Sequence, residues 1–140
     1  MSGAALVITL LTGCLTYYAE PYVGEPLRCG SVGGASGIYD TTHTWIAVDI
    51  DAFPGWYCGD LVRVTVGDDV MLLPILDSGF LNAHCVYYGS TCVPIIGDLP
   101  AHAFPWPGLS VRGVIENLTG GLRQVGALDM WNEARQEVER

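Results

Sequence analysis

Eighteen glycines and eight prolines are scattered, without a repeat, through the 140 residues of the chain. Glycine frees the backbone for turns, and proline fixes φ and removes a donor, so punctuation this dense leaves little room for long helices. Many short strands joined by turns fit it, and the length allows one domain and hardly two. Half of the residues are hydrophobic and 15% are charged, which excludes intrinsic disorder and supplies a sizeable core. The charge is one-sided. Six Arg, no Lys and fifteen acids give a formal net charge of −9, a surface that repels phosphate backbones and anionic lipid heads and argues against nucleic acid as a partner.

Along the chain, Leu15 to Ala19 is β-rich and stops at Glu20-Pro21, and residues 20–44 read as a long, partly ordered loop rich in Gly. Trp45 to Val48 reads as a short strand. Leu61 to Val66 alternates with period two, with Arg63 and Thr65 on one face and Val62, Val64 and Val66 on the other. Gly67-Asp68-Asp69 makes a tight connection to an almost wholly apolar strand over Val70 to Leu76, the clearest hairpin in the sequence. Val111 to Leu118 supplies a later strand. Gly120-Gly121 reads as a flexible joint before an amphipathic helix over 127–139, where Leu128, Trp131, Ala134 and Val138 recur at helical spacing.

Five cysteines become an even set if one stands apart, and Cys14 is the natural candidate. Residues 4–12 form an apolar run too short to span a bilayer, which takes about 20 residues, and suited to a signal-peptide core. Leu11-Thr12-Gly13-Cys14 resembles a bacterial lipobox, which makes Cys14 a candidate lipidation site and membrane anchor. No Lys or Arg precedes the run, however, and an uncleaved start would instead place Val7 to Leu11 in a buried strand. The other four cysteines allow three pairings. The short insert between Cys85 and Cys92 favours that pair and leaves Cys29 with Cys58. Closely spaced ligand pairs such as Cys-x2-Cys are missing, so disulfides of an oxidising, extracytoplasmic compartment are expected rather than a metal, and no motif calls for a cofactor.

Four segments, in order, resemble the double-psi β-barrel domains of the rare-lipoprotein-A, barwin and expansin type. They are Tyr17-Tyr18-Ala19 with the Gly-rich loop after it, Cys58-Gly59-Asp60-Leu61-Val62-Arg63-Val64, Pro74-Ile75-Leu76-Asp77-Ser78-Gly79, and Ile96-Gly97-Asp98-Leu99-Pro100-Ala101-His102-Ala103-Phe104. Gly108 to Glu116 resembles the closing strand. The resemblance implies an all-β, six-stranded double-psi β-barrel over 15–118, with long Gly-rich loops, an apolar segment over 1–14 and the amphipathic helix within 119–140. It implies a groove across the barrel and action on peptidoglycan or another polysaccharide. In the lytic transglycosylases of this group the Asp at the position of Asp77 is the acid/base. In expansins and the related inverting endoglucanases the Asp at the position of Asp98 is an essential groove residue.

The chemistry agrees with that placement. Glycosidic cleavage needs a carboxylic acid to protonate the leaving oxygen, and a transglycosylase can use one residue as acid and then base. Asp77 follows an apolar strand, where desolvation would favour its protonated form. Gly79 would let a sugar approach the backbone. Sugar rings stack on aromatic side chains, and Tyr18, Trp56 and Tyr57 are the preferred groove residues, with Tyr22, Tyr39, Trp45, Tyr87, Tyr88 and Trp106 also at strand ends or in loops. Structural readings stand beside these. Asp77-Ser78-Gly79 is ordinary turn chemistry, Asp98 reads as a helix N-cap with Pro100 in the first turn, and Trp45 reads as core. One departure from the family pattern bears on catalysis. The slot of the catalytic His is filled by Val48, His43 lies five residues earlier, and His84 and His102 read as surface residues.

Three functions follow. The first is an exported barrel that cleaves glycan strands with Asp77, and the second is an expansin-like module that binds them without cleavage. The third is a structural subunit of an extracellular or virion assembly, using the N-terminal segment and the C-terminal helix for self-assembly or a protein partner.

Overall fold

The computed structural model describes residues 9–18, 22–30, 37–79, 81–126 and 128–139. The hairpin forms where the alternation places it. β3 (Leu61–Val66) pairs antiparallel with β4 (Asp69–Asp77), in a register that sets Val62 against Leu73 and Val66 against Asp69. Gly67 takes a φ of 57°, the positive φ that the first position of a two-residue hairpin loop demands. Val62, Val64 and Leu73 are buried, while Arg63 faces solvent and pairs with Glu116 at 2.6 Å.

Six strands close into a barrel. β1 (Leu10–Tyr18) pairs with β7 (Val111–Asn117), β7 with β3, β3 with β4, and β4 with β2 (Ile46–Ala47). β2 pairs with β6 (Thr91–Pro100), and β6 returns to β1. The β1–β6 and β2–β4 contacts are parallel and the others antiparallel. β5 (Cys85–Tyr88) lies outside this ring, in a hairpin with the first half of β6. Leu11, Leu15, Ile46, Val48, Val62, Val64, Ile75, Ile96, Leu99 and Ile115 fill the interior. Close approaches inside the barrel favour glycine. A Cβ on Gly13 would sit 2.5 Å from the Pro94 carbonyl oxygen, and one on Gly97 would meet the methyl ends of Ile115 and Ile46 at 2.8 Å.

β6 replaces the expected helix entry. Residues 96–100 are extended because β1 and β2 flank them on both sides, and only a short 3-10 turn, Ala101–Ala103, follows. Asp98 is therefore a strand residue and not an N-cap. Pro100 caps the turn without a side-chain hydrogen bond.

The described part of the 20–44 loop forms a second layer over the barrel. The Leu27 N–H donates to Gly37 O at 2.8 Å, and the Tyr39 N–H donates to Glu25 O at 2.8 Å. Leu27, Tyr39 and Trp45 pack there against Ala47 and Leu76. The Gly-rich stretch over 31–36 lies outside the described residues. Disulfides join Cys29 to Cys58 and Cys85 to Cys92, the kind of bond that persists in oxidising compartments.

The Gly120-Gly121 pair is not a joint. It lies inside α1 (Leu118–Gln124), where the Asn117 side chain accepts the Gly120 N–H at 2.8 Å. The chain breaks instead at Val125-Gly126, where Gly126 has a φ of 74°, and continues into α2 (Leu128–Glu139). α1 is tied to the barrel by Arg123, whose guanidinium donates to the buried Asp60 carboxylate at 2.7 Å. The described side chains of α2, including Met130 and Ala134, are exposed. The side chains of Leu128, Trp131 and Val138, on which the apolar stripe rests, lie outside the described residues.

Candidate functional site

The site begins with a register shift. Between Ile46 and Ala47 the pairing with β4 skips a residue, from Ile75 to Asp77. An extra residue in a strand re-aims its neighbours. Ile75 stays in the barrel core, Leu76 turns into the outer cluster, and Asp77 reaches a pocket beneath the loop layer. Ala47 pairs with Asp77 on one side and with Asp98 on the other, and Asp98 pairs in turn with Thr16. Four strands thus bring two carboxyls, a small residue and a hydroxyl into one row, and Tyr18 lies two residues beyond Thr16 on the same face of β1.

Both oxygens of Asp77 accept hydrogen bonds. The Tyr18 hydroxyl donates to one at 2.9 Å and the Arg28 backbone N–H to the other at 2.8 Å. Arg28 is held there by its neighbour Cys29, which is bridged to Cys58 and donates its N–H to Leu76 O at 3.1 Å. The Arg28 guanidinium turns away, to Asp51, at 2.7 and 3.1 Å. Burial, reinforced by the Asp77 charge, holds the Tyr18 hydroxyl well above the usual tyrosine range.

Asp98 is 8% exposed and accepts the Thr16 hydroxyl at 3.0 Å. Burial pushes its carboxyl up to about 7; the Thr16 bond opposes this and the Asp77 charge adds to it. The carboxyl that the fold desolvates is therefore Asp98, two strands from the one expected.

The pocket has a volume of about 410 Å³. Tyr18, Tyr22, Tyr39 and Trp45 give it aromatic walls, and Glu25 and Asp77 give it acids. Tyr18 and Tyr39 flank the Trp45 ring at centroid distances of 5.5 and 5.4 Å. The Tyr39 hydroxyl is pinned by the Ala101 N–H at 2.9 Å. Trp45 is fully buried, and its indole N–H has no acceptor among the described residues.

Of the residues singled out in the sequence, Tyr18, Asp77 and Asp98 come together. Trp56 does not: it is 2% exposed and packs in the barrel core beside Phe53. Tyr57 is exposed under the Arg123 guanidinium, 4.8 Å from its ring centroid, and is absent from the pocket lining. Gly79 has open space around it and stands outside the lining. Cys14 is fully buried in the middle of β1, its thiol 3.6 Å from the Tyr88 hydroxyl, and Leu10 to Gly13 before it pair with β7. Leu10 and Leu11, the described apolar end of the 4–12 run, are therefore strand residues. Residues 1–8 lie outside the described residues.

None of the three histidines is among the residues that line the Asp77 pocket. Val48 is buried in the core. His43 pairs through Nδ1 with Asp40 at 2.8 Å, and His102 Nε2 donates to the His43 carbonyl at 2.7 Å. Sequence reasoning missed Thr16, Glu25 and Arg28. The period-two step from Thr16 to Tyr18 and the position of Arg28 beside Cys29 were the available signals. Among the described residues no group of three or more His, Cys, Asp or Glu is placed to hold a metal ion. No family model matches the chain, and no curated protein matches it.

Proposed function

We propose that this protein is an extracytoplasmic barrel of the double-psi type that engages peptidoglycan or a related polysaccharide in the pocket at Asp77. The observation that carries the reading is the pairing of an oriented carboxyl in an aromatic-lined pocket with a second, buried carboxyl in the same row. The two parallel contacts in a six-strand ring support the double-psi assignment, and the two disulfides support export. Sugar C–H faces stack on aromatic rings, and a fixed carboxyl beside such rings can orient a glycan.

Asp77 is the group that touches the glycan. In a transglycosylase it gives a proton to the leaving oxygen and then takes one from the attacking hydroxyl of the same sugar, closing an anhydro ring without water. Asp98, its carboxyl pushed up to about 7, keeps its proton below neutrality and limits the charge in the row there. Val48 at the histidine slot and the burial of Asp98 favour a second reading, binding without cleavage. The test is mass spectrometry of material released from purified peptidoglycan by wild type and by Asp77→Asn, with sedimentation of each protein on the same polymer. Anhydro-muropeptides from wild type alone establish the transglycosylase. Sedimentation without release establishes the binding module. Absence of both release and sedimentation overturns the polysaccharide reading.

A further inference from the structure

We propose that the outer face of strands β4, β3, β7 and β1 is a self-association surface, through which two copies of this chain pair face to face about a two-fold axis. It stands on the side of those strands away from the barrel core and uses none of the residues that line the Asp77 pocket.

Alternation decides which side chains stand there. Val62, Val64, Leu73, Ile115 and Leu11 point into the barrel, so their neighbours along each strand point out. Register lays those neighbours in rows. One row runs Leu72, Arg63, Glu116, Leu10 across the four strands, and the next runs Val70, Thr65, Val114, Thr12. Leu10, Val70 and Leu72 are 51%, 58% and 58% exposed. Apolar side chains that stand together on an exposed face mark an interaction site more than ones scattered singly do.

Charge chooses the occupant. The chain has fifteen acids and six Arg, so a second copy approaching in an arbitrary orientation meets like charge. The two rows escape this. Their only charges are Arg63 and Glu116, ion-paired at 2.6 Å. The first row is also self-complementary: from either end it reads leucine, charge, opposite charge, leucine. A two-fold axis along the strands, between β3 and β7, lays β4 over the partner's β1 and β3 over the partner's β7. Each Leu72 then meets the partner's Leu10, and each Arg63 meets the partner's Glu116. The two intrachain pairs become a ring of four alternating charges, flanked by leucines. One patch serves both subunits, which is the arrangement of most protein dimers.

The area sets the strength. Four strands and the four side-chain levels from Leu61–Pro74 to Cys14–Arg112 cover roughly 400 Å² at ordinary strand spacing, against about 800 Å² per partner in a standard interface. The dimer is therefore weak, with a Kd of roughly 10–100 µM.

Sedimentation velocity of the full chain from about 5 µM to about 500 µM tests this with two charge reversals. Both side chains are partly exposed, so neither change disturbs the core. Arg63→Glu makes the centre of the face wholly acidic, and Glu116→Arg makes it wholly basic. Wild type should dimerise, and each single variant should associate roughly tenfold or more weakly. An equimolar mixture of the two variants should associate at least as tightly as wild type, because an acidic face then meets a basic one. The double variant Arg63→Glu/Glu116→Arg restores the alternating ring and should dimerise as wild type does. A wild type that stays monomeric overturns the proposal and leaves the face to another protein or to solvent. Association that persists in both single variants also overturns it, since another surface, such as α2, then makes the contact. Failure of either the mixture or the double variant to associate overturns the two-fold register and the proposal with it.

Discussion

Replacing Asp98 by Asn should make the protein more stable at alkaline pH and change little in acid. The folded protein holds the Asp98 proton more tightly than the unfolded chain does, because its carboxyl is buried and faces Asp77 across Ala47. The stabilisation is complete below the ordinary carboxylate pKa and is lost as the pH rises through 7. Each tenfold change in proton affinity corresponds to about 1.4 kcal/mol. The rise from 3.8 to about 7 therefore costs the wild type about 4 kcal/mol between acid and alkaline conditions. Asparagine keeps the shape of the side chain and an oxygen for the Thr16 hydroxyl, and it has no proton to lose.

For 140 residues, an unfolding entropy of about 2.1 cal/mol/K per residue converts about 4 kcal/mol into a Tm difference of roughly 14 °C. Calorimetric melting of both proteins from about pH 4 to about pH 8 reads this directly. The other carboxylates and the net charge of −9 act on both proteins alike as they ionise, so the difference between the curves isolates Asp98. Curves that keep a constant separation over the whole range would refute the argument from burial.

Three further outcomes can be checked by urea denaturation. Removing the Cys29–Cys58 bridge with paired Ser substitutions opens a loop of 29 residues and should cost about 3.6 kcal/mol, against about 2.3 kcal/mol for the seven-residue loop closed by Cys85–Cys92; an equal or reversed order would contradict the chain-entropy account. Arg123→Met strips the counter-charge from Asp60, whose side chain is 4% exposed, and should cost about 3 kcal/mol; the Asp60→Asn/Arg123→Met double variant should recover part of it, and no recovery would mean that Arg123 acts through packing alone. Gly13→Ala should cost more than Gly97→Ala, because its new Cβ meets a backbone oxygen at 2.5 Å where the other meets only movable methyl ends; overpacking of this kind costs about 1–3 kcal/mol.

Elements whose pattern and partners are local were legible. The β3–β4 hairpin follows from period-two alternation and a Gly turn, and α2 from helical spacing, because each signal lies within one stretch of chain. β6 was not legible. Pro94, Gly97 and Pro100 look like turn chemistry, and the segment is extended only because β1 and β2 hold it from both sides. The Gly120-Gly121 pair misled for the opposite reason, since the Asn117 cap and the Arg123–Asp60 bond commit it to a helix despite its propensity.

The aromatic residues and carboxyls show where sequence stops. The chain by itself determined a β-rich, acidic, disulfide-bonded fold and placed Tyr18, Asp77 and Asp98 among the residues of interest. Local sequence marked Trp45 as core, where the structure buries it completely, but pointed to Trp56 as a groove residue, because nothing local in a loop tryptophan's sequence says that its ring packs into the barrel. Nor could it choose between the two aspartates. Desolvation is set by everything packed around a group, and around Asp98 that packing comes from β1, β2 and β6, segments as far apart as Thr16 and Asp98 in the chain. Only closure of the barrel, with a register shift at Leu76, decided which carboxyl is buried and which faces the pocket.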